Sequence, residues 1–255
     1  MKEIEEALAA GEIDLAVHSV KDIPARLPRK LRLGAFLPRA HPGDAIISNH
    51  FKHPSQLPAG ARIGTSAVRR KAILLRQYPQ LKIIDFRGNV VTRLNKLDHG
   101  QAEAIILATA GLTRLDQQAR ITYQFSPDEM LPAVGQGVIA VEYHQARLDL
   151  KAYLAAINHP PSEVIANTER QFMMALDSDC NMPLAAYATI DDNLIKLKAG
   201  VYMADGSQQM MVHGQAKLSE ADYLAHSLAY QVYNHAPLIF AAFLLMKPCL
   251  DSDLL

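Results

Sequence analysis

Between residues 45 and 115, short apolar runs alternate with helical patterns on turns of only a few residues, which leaves few folds open. Residues 45–48, 61–63, 82–85 and 104–107 read as strands, and 66–78, 90–98 and 110–115 as helices. Strands joined through helices in this way predict a mostly parallel, doubly wound sheet with helices on both faces. In such sheets ligands sit beyond the carboxyl ends of the strands. Two of those strand ends carry arginine-tipped turns of one kind: Gly64-Thr65-Ser66-Ala67-Val68-Arg69-Arg70 and Arg87-Gly88-Asn89-Val90-Val91-Thr92-Arg93.

Small and hydroxyl residues at a strand-to-helix junction leave the first helical N–H groups free for an anion. Arginine adds a planar fork that grips carboxylate or phosphate at two points. Taken singly, Arg69, Arg70, Arg87 and Arg93 also suit a solvated helix face; the repetition at two junctions favours a ligand with several negative groups. Phosphate and carboxylate are equally open at this point.

The rest of the chain frames this lobe. Residues 1–10 read as a helix and 13–17 as a buried strand, which runs into the loop His18-Ser19-Val20-Lys21-Asp22-Ile23-Pro24. A connecting stretch punctuated by Pro24, Pro28, Pro38 and Pro42 follows. After the turn at 131–137, residues 138–143 form another strand and 148–157 a helix. Pro160-Pro161, with Ser162 as N-cap, opens a helix through Leu176. Strands at 184–190, 194–202 and 209–215 and a helix at 219–234 predict a small C-terminal α+β domain. The expected division is 1–37 with 138–160, then 38–137, then 161–255. A doubly wound domain normally opens on a strand, whereas this chain opens on a helix; either the sheet is built unusually or its first elements are missing.

Net charge is zero over the 255 residues, yet 38–137 holds 13 Lys/Arg against 7 Asp/Glu. Nucleic acid suits such an excess, but interleaved aromatics are lacking and the chain has no tryptophan. A cleft for a small polyanion fits better. Two distant cysteines, Cys180 and Cys249, argue against a disulfide scaffold or zinc ribbon and for a reducing cytoplasm. The charged, amphipathic start is no signal peptide. The apolar run 237–246 is too short for a bilayer and reads as a buried element.

Asp22, beside Lys21 at a strand end, suits a carboxylate that steadies a developing cation or moves protons. A solvated loop ion pair or helix cap is the competing reading. Cys180 lies in Asp177-Ser178-Asp179-Cys180-Asn181-Met182-Pro183; a free cysteine is usually buried and inert, and adjacent aspartates discourage the thiolate. Cys249 stands among residues with no chemical pattern. There is no phosphate-binding P-loop, no Gly-x-Gly-x-x-Gly and no His-Glu-x-x-His. His41, His50 and His53 lack a carboxylate or cysteine partner, so no metal is expected.

Five segments together resemble a known family. They are Ala16-Val17-His18-Ser19-Val20-Lys21-Asp22-Ile23-Pro24; Gly64-Thr65-Ser66-Ala67-Val68-Arg69-Arg70; Arg87-Gly88-Asn89-Val90; residues 104–115; and Leu131-Pro132-Ala133-Val134-Gly135-Gln136-Gly137. Their order and spacing resemble porphobilinogen deaminase, also called hydroxymethylbilane synthase, from about residue 1 to 235. The resemblance implies two doubly wound lobes like those of type II periplasmic binding proteins, plus a third domain. It also implies a transferase of porphyrin and heme biosynthesis, joining four porphobilinogen molecules into a linear tetrapyrrole with loss of ammonia. The implied cofactor is a dipyrromethane, and by resemblance Cys180 holds it through a thioether. Asp22 takes the place of the catalytic carboxylate. Arg69, Arg70, Arg87, Arg93 and Arg114 take those of the carboxylate ligands, with Ser19, Lys21, Thr65, Ser66, Gly88 and Gln136 lining the same cleft. A cytoplasmic monomer without nucleic acid or membrane partners is implied.

Departures from the family pattern carry expectations of their own. Its opening strand–helix–strand has no counterpart here; Ala67 stands where a serine is common; Ser178-Asp179 replaces a glycine pair; the tail from Pro237 differs. Open sheet edges and exposed apolar faces follow from such a start, so the polypeptide alone is expected to be poorly stable and weakly active or inactive. The reading of a different class is a non-catalytic polycarboxylate-binding module, or an inactive fragment, on the same scaffold.

Overall fold

The computed structural model describes residues 2–178 and 182–236. Three sheets organise them. The chain begins with helix α1 (Lys2–Ala10) and strand β1 (Leu15–Ser19), then a single 3-10 turn, Val20–Asp22. Strand β2 (Leu31–Phe36) lies in the proline-punctuated stretch where no strand was expected. Both strands flank β8 (Ile139–His144) in a wholly antiparallel sheet of order β1-β8-β2. β1 starts two residues later than the buried strand expected at 13–17 and is buried on one face only, with Val17 67% exposed. Helix α5 (Lys151–Ile157) covers β2 through Leu154, close against Gly34.

The second sheet has the order β5-β4-β6-β3-β7, built from β3 (Asp44–Ile47), β4 (Arg62–Gly64), β5 (Lys82–Ile84), β6 (Ala104–Ala108) and β7 (Tyr123–Gln124). Helices α2 (Val68–Gln77), α3 (Val90–Asp98) and α4 (Thr109–Arg114) complete the lobe. Successive strand residues face opposite sides. Ile46 and Ile106 therefore join α2's Ile73 and Leu74 on one face. Ala45, Ile47, Ile105 and Leu107 meet Leu94, Leu97 and Leu112 of α3 and α4 on the other. The doubly wound layering is as read from the alternation, but the sheet is mixed. β4 runs parallel to β5 and β6, whereas β3 runs antiparallel to β6 and β7. The reason is the route: the chain crosses between sheets at 37–43 and returns at 126–138. The first strand after each crossing, β3 and then β8, runs against its neighbours. The two crossings lie side by side, with Leu37 N donating to Ile139 O (2.9 Å) and Ala40 N to Gly137 O (3.1 Å).

Helix α6 (Pro160–Ala175) starts two residues before the expected cap. Its N-cap is His159, whose Nδ1 accepts from Ser162 N (3.3 Å), with the prolines in the first turn. Ser162 Oγ instead accepts from Arg39 N (2.9 Å). Strands β9 (Leu184–Asp191), β10 (Leu194–Tyr202) and β11 (Gln209–Lys217) form an antiparallel meander. It buries Ile195, Leu197 and Val201 against Phe172 of α6 and Leu224, Leu228 and Val232 of helix α7 (Ala221–His235). Tyr202 and Ala185 of this third sheet also join the core of the second.

Candidate active site

One cavity of about 200 Å³ lies where these parts meet. Lys21, Asp22 and Ile23 reach it from the end of β1, and Val68, Arg69 and Arg70 from the first turn of α2. Gln136 and Val134 come from the 131–137 turn, and Met173, Met182 and Leu184 from α6 and the start of β9. One half is therefore cationic and hydrogen-bonding, and the other apolar.

The polar half is held by a residue that the sequence did not single out. Asp44, at the start of β3, is fully buried. Arg69 Nη2 donates to its Oδ2 (2.7 Å), Arg70 Nη2 and Nε to its Oδ1 (2.7 and 3.1 Å), and Gln136 Nε2 also to Oδ1 (3.0 Å). Burial alone pushes this carboxyl up, but the two guanidiniums outweigh it and hold Asp44 far below the usual carboxylate range. Arg69 Nη1 further donates to Leu131 O (2.6 Å) and Arg70 Nη1 to Ile106 O (3.1 Å). A guanidinium has five N–H donors, so both arginines are fixed in place with donors to spare.

Burial, then the Arg70 charge, brings the Lys21 ammonium down to about 8, while Asp22 and Asp44 oppose the shift. Arg93 is half-buried between the charges of Arg70 and Asp22, and burial is the main force lowering its pKa. Its Nε is buried without a hydrogen-bond partner among the described residues. Among the described residues, the carboxylates that act on Lys21, Arg69, Arg70 and Arg93 are those of Asp22 and Asp44. Among the described residues this leaves two positive charges in excess, which suits a ligand bearing carboxylates.

The remaining expected residues stand around this centre rather than in its lining. Thr65 is buried, its Oγ1 accepting from Ala67 N (3.2 Å); Ser66 Oγ accepts from Phe86 N (3.2 Å). Ser19 ends β1, directly before the 3-10 turn. Arg114 Nη2 donates to Gly137 O (3.0 Å), tying α4 to the crossing. Arg87 is 82% exposed and paired with Asp85 (2.8 Å), and Gly88 beside it is exposed at φ +126°. The two junctions also differ. α2 begins at Ala67 without a side-chain cap, whereas Asn89 Oδ1 accepts from Thr92 N (2.8 Å) and occupies one of the N–H groups expected to be free in α3. Cys180, two residues before Met182 in sequence, lies outside the described residues, as do Asp179, Cys249 and the run 237–246.

The 131–137 turn is fixed from three sides. Glu169 of α6 is fully buried, and its Oε2 accepts from Gly135 N (2.6 Å). Its Oε1 accepts from Ala188 N (2.7 Å) and from Arg39 Nη1 (2.7 Å). Arg39 Nε in turn donates to Gln136 O (3.0 Å). In sequence, Arg39 and Glu169 look like ordinary surface charges; only their long-range pairing reveals them. His41 bonds Gly43 N and the Gln124 side chain, and His53 bonds Ser55; among the described residues no group of three or more His/Cys/Asp/Glu could hold a metal. No described helix is long and apolar enough to cross a membrane.

Comparison with known proteins fits this geometry. Residues 1–152 match the family described as "Porphobilinogen deaminase, dipyromethane cofactor binding domain", and 163–234 match its C-terminal domain. The chain belongs to the porphobilinogen deaminase family. A porphobilinogen deaminase of Chromobacterium violaceum is 42% identical over 248 residues, 97% of this chain and 80% of the relative. That of Neisseria meningitidis serogroup B is 44% identical over 229 residues, 90% of this chain and 74% of the relative. Among solved structures, a Burkholderia cenocepacia nutrient-binding protein bound to methionine aligns with 67% of this chain and 78% of its own, at 14% identity and a TM-score of 0.44. In porphobilinogen deaminase terms, the matched cofactor-binding domain contains every cleft residue contributed by 19–137.

Proposed function

We propose that the chain is a hydroxymethylbilane synthase, condensing four porphobilinogen molecules head to tail with release of ammonia. The supporting observation is the convergence of Lys21, Asp22, Arg69, Arg70 and Gln136 on one cavity, within a segment matched throughout by the family. The donors present fit a dipyrromethane: four cationic side chains, Lys21, Arg69, Arg70 and Arg93, for its carboxylates, and an apolar wall of Val134, Met173, Met182 and Leu184 for its rings. Arg69, Arg70, Arg93 and Lys21 would between them hold the carboxylates of this group and of the incoming substrate, with Cys180 as the point of attachment. When bound, this group supplies the pyrrole end to which substrate units are added.

The chain's own residues do the rest. Asp22 sits exposed at the cavity with no cation bonded to it among the described residues. Its carboxylate accepts the pyrrole N–H of the incoming porphobilinogen and steadies the positive charge that develops on that ring as ammonia leaves. Arg70 and Arg93 hold the substrate's carboxylates so that ring and Asp22 meet in one register. The apolar wall keeps water from the reacting carbon, limiting capture of the cation by solvent. Arg87 and Arg114, with Ser19, Thr65, Ser66 and Gly88, shape the approach. The division into 1–37 with 138–160, 38–137 and 161–255, and action as a cytoplasmic monomer, belong to the same proposal. Nothing in the geometry favours the non-catalytic reading.

The test is turnover: purified chain with porphobilinogen, following ammonia release and loss of free substrate by Ehrlich's reagent. Weak turnover is expected from the wild type, and Asp22→Asn is expected to lower its kcat by a further factor of about 10²–10³. Unchanged kcat in Asp22→Asn, or no turnover by the wild type, contradicts the proposal.

A further inference from the structure

Arg170 is a buried arginine on α6, 6% exposed, which the cavity does not include. Its guanidinium is turned away from Glu169's partners and toward the segment that carries Asp22. Nη2 donates to Pro24 O (3.0 Å) and Ala25 O (3.1 Å), and Nη1 reaches Ile23 O at 3.5 Å. Three successive carbonyls directly after Asp22 thus converge on one side chain. Upstream, the 3-10 turn is closed by Ile23 N donating to Val20 O (3.1 Å), and Val20 N donates to Val138 O (3.0 Å). The charge of Glu142 on β8 acts on Arg170 and offsets part of the cost of burying this cation. Glu142 bonds His18 (3.2 Å), the residue before Ser19. The segment 18–25 is therefore gripped at both ends around Lys21 and Asp22.

We infer that Arg170 is a positioning residue, which fixes the Asp22 carboxylate at the reacting centre by holding the carbonyls of Ile23, Pro24 and Ala25. The planar fork is what the task needs: a lysine ammonium is compact and cannot span three carbonyls in a row. A purely structural role, holding α6 in place, is served by other groups. Glu169 anchors the same turn of α6 to Gly135, Ala188 and Arg39, and Phe172 is fully buried in the core. Loss of the Arg170 fork therefore releases the loop while the helix stays docked. Displacing a catalytic group by about 1 Å costs on the order of 10² in rate.

This inference rests on the proposed function for its kinetic arm, and a second arm is independent of it. In full-length Arg170→Gln, kcat is expected to fall about 100-fold with KM within about 3-fold. Arg170→Lys, which keeps the charge and much of the bulk, is expected to lose about 10-fold in kcat. Amide hydrogen exchange at residues 20–25 is expected to speed up at least about 10-fold in Arg170→Lys, with α6 amides unchanged. Unchanged exchange at 20–25 in Arg170→Lys overturns the inference whether or not the wild type turns over porphobilinogen. Wild-type kcat in Arg170→Lys, including where Arg170→Gln fails to fold, overturns it too, as does faster exchange throughout α6. A wild type that does not turn over porphobilinogen, with exchange altered as expected, counts against the function alone.

Discussion

At the scale of single residues, the cleft is governed by a shortage of negative charge. Asp44 serves two buried guanidiniums at once, so removing it strands both. Asp44→Asn is expected to lower stability by about 3–5 kcal/mol, measured by denaturant unfolding. The folded value of Asp44 lies below the unfolded one, so its contribution is present in full above the ordinary carboxylate value of 3.8 and fades as pH falls beneath it. Lys21 behaves in the opposite sense. Its folded value of about 8 lies below the unfolded 10.5, so the unfolded chain binds more protons between these values and stability from this group rises across that window. Function moves the other way: as Lys21 loses its charge through about pH 8, KM for porphobilinogen is expected to rise. Lys21→Arg, charged throughout, is expected to remove that rise; a KM profile identical to wild type assigns the titration to another group.

Among the elements, the 131–137 turn shows how tightly the site is placed. Gly135 has φ +68°, and a Cβ there would lie 2.2 Å from Val20 Cγ1. Gly135→Ala is expected to cost more than about 1 kcal/mol, and pairing it with Val20→Ala to recover part of that loss, as thermal unfolding would show. The strand–helix alternation was legible because each element's period of two or near four reflects burial on its own face, as in α3, whose bounds Val90–Asp98 match the pattern. β2 was not, because its prolines lie outside the strand while Gly34 sits at a bulge within it. The strand directions of β3 and β8 follow from crossings between lobes, which local pattern does not encode. Lys21, Asp22, Arg69, Arg70 and Gln136 were legible through family motifs. Asp44, Glu169 and Arg170 were not, since their partners lie 19 to 147 residues away in sequence.

Across the whole molecule, three sheets converge on one cleft through few connections: the paired crossings, the Glu169 cluster, and the core shared by Ile46, Ala185 and Tyr202. The cationic half comes mostly from the second lobe and the apolar half largely from α6 and β9, so the proposed catalysis requires the lobes to be held in register around a pyrrole chain tethered at Cys180. Intact mass and peptide mapping of the full chain, purified from cells that make porphobilinogen, test this most directly. An increment matching two linked pyrroles on the Cys180 peptide, with a positive Ehrlich reaction and Cys249 unmodified, is the expected result. A Cys180 peptide carrying a free thiol, with no pyrrole elsewhere on the chain, contradicts the account.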